Sequence, residues 1–169
     1  MFAPQLVGLV TTLNARGKPN VATFAWATST SHDPELIAIS VSHLRYSYRY
    51  LKNEFVLNLP TEDLLKEVWL VGTVSGRAVN KFAVSGLTPL PSLEVSPPRI
   101  QECPTHIECK TRYTFETGDH TIFIGKVVAK SGDKDAVVDG TLNPNIRPVF
   151  HLGGTKFMVG DRRIDVRNL

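Results

Sequence analysis

Two short polar stretches carry the side chains best suited to chemistry. Ala27-Thr28-Ser29-Thr30-Ser31 is a run of small, mostly hydroxylated residues, and Ser42-His43-Leu44-Arg45-Tyr46-Ser47 sets hydroxyls and one guanidinium just beyond an apolar run. Small side chains let a flat ring come close enough to the backbone for N–H groups to read its edge. A guanidinium among hydroxyls suits a phosphate dianion, because charge-assisted hydrogen bonds are the strong ones. Ser47 reads as the N-cap of a helix over 47–53, and a helix N-terminus attracts anions. Together the stretches read as a platform for a flat polar ring and a socket for its phosphate. The competing reading is two ordinary surface loops rich in Ser and Thr. Phe24 and Trp26 could wall such a ring, with one of the two turned into the protein interior.

Other site chemistries fit less well. Gly72-Thr73-Val74-Ser75-Gly76 is one residue out of the Gly-x-Ser-x-Gly spacing of a hydrolase nucleophile, which leaves Ser75 as a loop hydroxyl. His106-Ile107-Glu108 supplies the His-x-Glu half of a zinc deaminase signature, but no Pro-Cys-x-x-Cys follows. Cys103 and Cys109 flank Pro104 at a spacing that matches neither a zinc site nor a redox pair. Neither a Gly-x-Gly-x-x-Gly nor a Walker sequence occurs.

The elements around the two stretches are mostly strands. Leu6 to Leu13 is apolar on both faces and reads as a buried strand, and 14–19 as a turn. Val21 to Trp26 returns as its hairpin partner. The 27–31 stretch is a loop closed by His32-Asp33-Pro34, and Glu35 to Val41 a third strand. Phe55 to Leu59 is a strand stopped by Pro60. Thr61 caps a helix whose apolar stripe is Leu64, Leu65, Val68 and Val71, ended by Gly72. Val79 to Phe82 is a further helical turn. The segment 86–104, with Pro89, Pro91, Pro97, Pro98 and Pro104, is an irregular crossing with a short strand over 93–95. His106 to Phe115 alternates, with Ile107, Cys109, Thr111, Tyr113 and Phe115 on one face and Glu108, Lys110, Arg112 and Glu116 on the other. Gly118-Asp119 turns it into a buried strand over 121–129. Gly132 to Arg147 is a polar loop. Short strands over 149–152 and 156–159 surround Gly153-Gly154, and 161–169 is a charged tail. Seven or eight strands in hairpins with two or three short helices predict a mainly β, barrel-like fold, since closing such a set removes its exposed edges.

Bulk properties agree with one globular domain over 1–169. The chain has 42% hydrophobic residues and a net charge of +3 from 19 basic and 16 acidic residues, too even a balance to argue for nucleic acid. No apolar run is long enough to span a bilayer, and the first residues lack the pattern of a signal peptide. Two cysteines and the lack of an Asn-x-Ser/Thr sequon suit a cytoplasmic protein.

In its ordered set of motifs the chain resembles the flavin reductase-like family, whose fold is the FMN-binding split β-barrel of Greek-key type, and within it the flavoredoxin-like branch. The resemblance runs through Val10-Thr11-Thr12, Asn20-Val21-Ala22, Trp26-Ala27-Thr28-Ser29-Thr30 with Asp33-Pro34, and the turn from Ser42 to Ser47. It continues in Val56-Leu57-Asn58-Leu59, in Gly76 with the run from Asn80 to Leu87, and in Gly118-Asp119-His120 with Gly125-Lys126-Val127.

That resemblance implies a homodimer with FMN at or near the subunit interface. It sets Trp26, Ala27, Thr28, Ser29 and Thr30 along the isoalloxazine. Ser42, Arg45, Ser47 and Tyr48 would hold the phosphate. Lys81 falls where the family's Lys-Phe pair approaches the cofactor, an exposed lysine after a helix being the plainer reading. His120 matches the Gly-Asp-His turn of NADH-using members, as a candidate catalytic residue. His151 stands where the C-terminal strand nears the flavin. The implied activity is that of an oxidoreductase, a flavin reductase or flavoredoxin-like electron carrier fed by NAD(P)H or a redox protein. The alternative is a split barrel that holds flavin or haem without turnover. No metal, nucleic acid or membrane is implied.

Overall fold

The computed structural model describes residues 3–138, 141–143, 145–162 and 164–165. In chain order the strands are β1 (Gln5–Leu6), β2 (Gly8–Leu13), β3 (Pro19–Phe24), β4 (Ala27–His32), β5 (Glu35–Ser42) and β6 (Glu54–Leu59). Next come helices α1 (Leu65–Thr73) and α2 (Lys81–Ser85) and strands β7 (Pro89–Leu90) and β8 (Arg99–Ile100). Then follow β9 (Thr105–Thr117), β10 (His120–Gly132), β11 (Val137–Val138), β12 (Thr141–Leu142), β13 (Val149–Gly153) and β14 (Lys156–Val159). Two 3-10 turns, Tyr46–Tyr50 and Glu62–Leu64, precede β6 and α1.

Seven strands form one antiparallel sheet in the order β3-β2-β6-β9-β10-β5-β4. Its two edges, β3 and β4, are consecutive in the chain and joined only by Ala25 and Trp26. Laid flat, seven strands would hold their edges roughly 29 Å apart. Three peptide units reach about 11 Å. The sheet must therefore curl until its ends meet, and Trp26 lies at the seam, its carbonyl accepting the Ser40 N–H at 2.9 Å. A second sheet, β1-β13-β14, stands beside the seam.

The apolar runs of β2 and β3 follow from cover on both faces. Val10, Ala22 and Phe24 join the barrel interior with Ile39, Val41, Phe55 and Phe123. Leu9 and Val21 face the other way, against Val68 and Val71 of α1, Phe82 of α2 and Val149 of β13. Inside the barrel the Phe55 ring lies where a Cβ on Gly125 would stand, at 2.6 Å, so that position excludes a side chain.

Several sequence expectations need correction. The 27–31 stretch is not a loop but most of the edge strand β4, paired to β5 with a register shift between Ser29 and Ser31. An edge strand with one exposed face tolerates small polar residues. The stretch 47–53 is no α-helix capped by Ser47. It is a 3-10 turn with Arg45 at the N-cap position and no side-chain cap, too short to build a useful macrodipole. The 93–95 segment is a bend, not a strand. Its Leu93 and Glu94 amides donate to the Glu108 carboxylate at 2.7–3.1 Å. Glu108 is accordingly fully buried rather than on an outer polar face. The 132–147 loop contains the small β11–β12 hairpin. The tail beyond Asp165, like Arg163, lies outside the described residues.

Candidate functional site

The seam of the barrel brings three elements together: the turn after β5, helix α1, and the loop between the helices. Thr23 on β3 donates its hydroxyl to the Val68 carbonyl at 2.5 Å, which fixes α1 across the edge strand. Gly76 lets the 74–79 loop close down, since a Cβ there would meet the Tyr46 ring at 2.6 Å. The result is a cavity of about 200 Å³ lined by Arg45, Arg77 and Lys81 together with Ser47, Thr73 and Ser75.

The electrostatics of this cavity are one-sided. No Asp or Glu lines it, and none of its cations forms an ion pair among the described residues. Lys81 is 6% exposed, and its Nζ donates to the Val71 carbonyl at 2.6 Å. Burial, and then the nearby Arg45 charge, lower its pKa to about 8. Arg45 donates Nη1–H to the Gly72 carbonyl at 3.2 Å. Three cationic side chains with little internal neutralisation make a socket for a small, highly charged anion.

The socket opens into a cavity of about 760 Å³, with which it shares Phe24, Leu44, Arg45, Gly72 and Thr73. Trp26 and His120 form one wall, stacked with ring centroids 4.7 Å apart and planes 27° from parallel. His120 Nδ1 meets the Asp119 carboxylate at 2.6 Å, which holds Asp119 below the usual carboxylate range. His151 also lines this cavity, its Nε2–H donating to the Gly154 carbonyl at 3.0 Å. That hydrogen bond fixes the tautomer and leaves Nδ1 as an acceptor in the neutral ring. Ser42 also lines this cavity. Beyond Trp26 lies a third cavity, about 410 Å³, lined by Ala27, Thr28, Ala38 and Ile122 and sharing Ala25, Trp26 and Ser40 with the second.

The sequence candidates divide accordingly. Trp26, Ser42, Arg45, His120 and His151 line the large cavity, and Arg45, Ser47 and Lys81 the anion socket. Ala27 and Thr28 stand in the third, so Thr28 and Arg45 share no cavity but border adjoining ones. Ser29 and Thr30 line none of the three. Ser47 is buried and its hydroxyl accepts from Asn20 Nδ2 at 2.9 Å. Tyr48 points away from the socket. Its ring packs edge-on against Phe123 and its hydroxyl meets Thr121 Oγ1 at 3.4 Å. Lys81 is buried, not exposed. Of the two possible ring walls, Phe24 is 8% exposed and Trp26 41%.

Sequence reasoning passed over Arg77, which neighbours it only through the Gly76 turn, and Trp69, one helical turn before Thr73. A glycine followed by a basic residue, itself four before Lys81, was the available signal.

An anion socket joined to an aromatic cavity at the seam of a β-barrel has the shape and charge to take a flat ring with an anionic substituent. The family model described as the flavin reductase like domain matches residues 2–146. The chain belongs to that flavin-binding family. It is similar to flavoredoxin of Desulfovibrio vulgaris, with a TM-score of 0.88 and 28% identity over 98% of this chain and 91% of that one. It is also similar in fold to an FMN-binding protein from Thermus thermophilus, with a TM-score of 0.84, 21% identity and coverage of 97% and 91%. An uncharacterised protein of Archaeoglobus fulgidus is 40% identical over 136 residues, 79% of this chain and 76% of that protein. The split-barrel fold expected from the sequence is the fold observed. No helix among the described residues is long and apolar enough to cross a membrane.

Proposed function

We propose that this protein is an FMN-dependent oxidoreductase that takes electrons from NAD(P)H or a redox protein and passes them to a small acceptor. The observation that carries the reading is the anion socket of Arg45, Arg77 and Lys81 opening under the Trp26–His120 stack. The donor set fits a phosphomonoester dianion attached to a flat ring, and the aromatic cavity fits that ring. FMN, when bound, supplies the two-electron chemistry. The chain supplies position and field. Arg45, Arg77 and Lys81 anchor the phosphate, with Ser42 on the wall of the adjoining large cavity. Trp26 and His120 offer a flat face, and His120 and His151 hold proton-bearing nitrogens near it. A bound ring would displace water from the largely apolar wall of Val7, Phe24, Trp26 and Val68, which strengthens the charge interactions beside it. No nucleophile is required, and Ser75 and both buried thiols stay outside the chemistry.

Two further parts of the reading rest on surface features. Tyr113 and Phe115 are 56% and 53% exposed, and they share a sheet face with Ile122, Ile124, Ala38 and Thr28 through the cross-strand register. A contiguous apolar face of this kind marks an interface, and a second copy of the chain is its natural cover. Free Cys103 and Cys109 agree with a reducing, cytoplasmic setting.

The test is a visible spectrum of the protein as purified and after addition of FMN, followed by anaerobic NADH and NADPH in turn. Flavin absorbance bleached by either nucleotide supports the reading. A haem band, or a protein that takes up no FMN, contradicts it.

A further inference from the structure

The cations of this chain are unevenly placed. Segments 14–20, 42–53 and 72–81 contain no Asp or Glu, whereas acidic residues outnumber basic ones in the rest of the chain. Besides the socket's Arg45, Arg77 and Lys81, these segments carry Arg16, Lys18, Arg49 and Lys52, all exposed. None of these four borders the socket or the large cavity. None forms an ion pair among the described residues. The coenzyme reading leaves them unused.

The fold gathers them around one aromatic pair. Tyr46 and Tyr50 of the first 3-10 turn meet edge-on, with centroids 5.1 Å apart and planes at 67°. The turn between β2 and β3 is braced by Asn14, whose Oδ1 accepts the Arg16 and Lys18 amides at 2.9 and 3.0 Å. Asn14 Nδ2 also donates to the Tyr46 hydroxyl at 3.4 Å. The hairpin turn bearing Arg16 and Lys18 therefore abuts the 3-10 turn bearing Arg49. A hydrogen bond with Tyr46 raises the Tyr50 pKa, while the charges of Arg49 and Arg77 pull it down. Tyrosine and arginine together are the residues that protein interfaces favour.

The charge layout also selects the kind of partner. A compact cationic face on a chain whose remainder is net acidic matches a compact acidic patch. A nucleic acid or a membrane would extend past the patch and meet the acidic remainder, which repels it.

We propose that Arg16, Lys18 and Arg49, set around the Tyr46–Tyr50 pair, dock an electron-carrier protein through an acidic patch on that carrier. The proposal rests on the flavin reading above and deepens it by giving the redox partner its docking surface. Tyr46 also lines the socket, so the docked carrier sits at the phosphate end of the coenzyme. Two reduced one-electron carriers and two protons from solvent balance the reduction of one bound FMN.

An acidic plant-type ferredoxin is the probe. Titrated in its oxidised form into isotope-labelled, FMN-loaded protein, it should perturb the backbone amide resonances of 14–18 and 46–52. Binding should weaken by about tenfold or more between about 20 and 200 mM salt. The triple variant Arg16→Glu, Lys18→Glu, Arg49→Glu should weaken binding by about tenfold or more, with FMN affinity changed by less than about threefold. In that variant reduced ferredoxin should bleach the bound FMN about tenfold more slowly, while dithionite, which needs no docking face, acts at the wild-type rate. Absent ferredoxin binding, binding unmoved by the triple variant, or tighter binding of a uridine oligonucleotide or phosphatidylglycerol vesicles to this face overturns the docking surface alone. Failure of the wild-type protein to hold FMN overturns the functional reading and the electron-carrier partner with it.

Discussion

Lys81 and Arg45 approach one cavity from opposite sides of the seam, Lys81 from the start of α2 and Arg45 from the turn after β5. The Arg45 charge adds to burial in lowering the Lys81 pKa to about 8. The ammonium is thus held charged at neutral pH against its surroundings, and an incoming phosphate relieves that cost.

A pH dependence of coenzyme binding follows. Below pH 8 Lys81 is protonated in the free protein, and FMN affinity should be flat on its account. Above about pH 8 the free protein loses that proton while the complex keeps it, so affinity should fall by up to about tenfold per pH unit. Lys81→Met should bind more weakly and lose this limb. The same shift acts on the apo protein's stability with the opposite sign. Between about 8 and the ordinary lysine value of 10.5 the unfolded chain holds more protons, so apo stability from this group rises with pH. Equilibrium dialysis of FMN and urea unfolding, each from pH 6.5 to 10 or thereabouts, check both limbs.

Arg45 borders the socket and the large cavity alike. Arg45→Ala should weaken FMN retention by about 1–3 kcal/mol, and Arg77→Ala, which borders the socket alone, by less. Because both cations act on one anion, the double variant should fall short of the summed losses. Fluorescence titration of FMN measures each.

Glu108 tests the frame rather than the site. Its buried carboxylate gathers the Leu93 and Glu94 amides and lies 3.9 Å from Arg99 Nε. Glu108→Ala should lower unfolding stability by about 2–4 kcal/mol, since it strands buried partners. FMN affinity under native conditions should stay near the wild-type value. Urea denaturation read by tryptophan fluorescence gives the first quantity.

Phe115 stacks with Tyr113, centroids 6.5 Å apart, on the exposed half of β9. Phe115→Asp should convert a dimer to a monomer in light scattering behind gel filtration. A wild-type monomer at high concentration would remove the interface from the account.

What the sequence revealed and what it concealed have physical causes. The β2–β3 hairpin was legible because both strands are buried on two faces, so their apolar runs are continuous. The β9–β10 pair was legible from alternation and from Gly118, but the single face expected for Cys109, Thr111, Tyr113 and Phe115 was not. A register shift at Arg112 turns Tyr113 and Phe115 outward while Cys109 stays in the barrel core. Strand β4 was not, because Ala27 to Ser31 at a sheet edge need only hydrogen-bond to β5 on one side and carry no apolar signature. Lys81 concealed itself because its burial depends on Val71 and Arg45, residues distant in sequence. Glu108 sits in an alternating polar register, and only the crossing segment that folds over it buries it. Trp69 reads locally as one more apolar position on a helix. Its packing partner is Phe157, nearly ninety residues on in the chain.

The central claim is that the Arg45–Arg77–Lys81 socket holds the phosphate of FMN. Phosphorus NMR of the FMN-loaded protein, compared with riboflavin binding by calorimetry, examines it most directly. The account predicts a shifted, pH-insensitive dianion resonance that reverts toward free FMN in Arg45→Ala, and riboflavin binding at least about tenfold weaker than FMN. A phosphorus resonance that titrates as in free solution, with riboflavin binding as tightly as FMN, would contradict it.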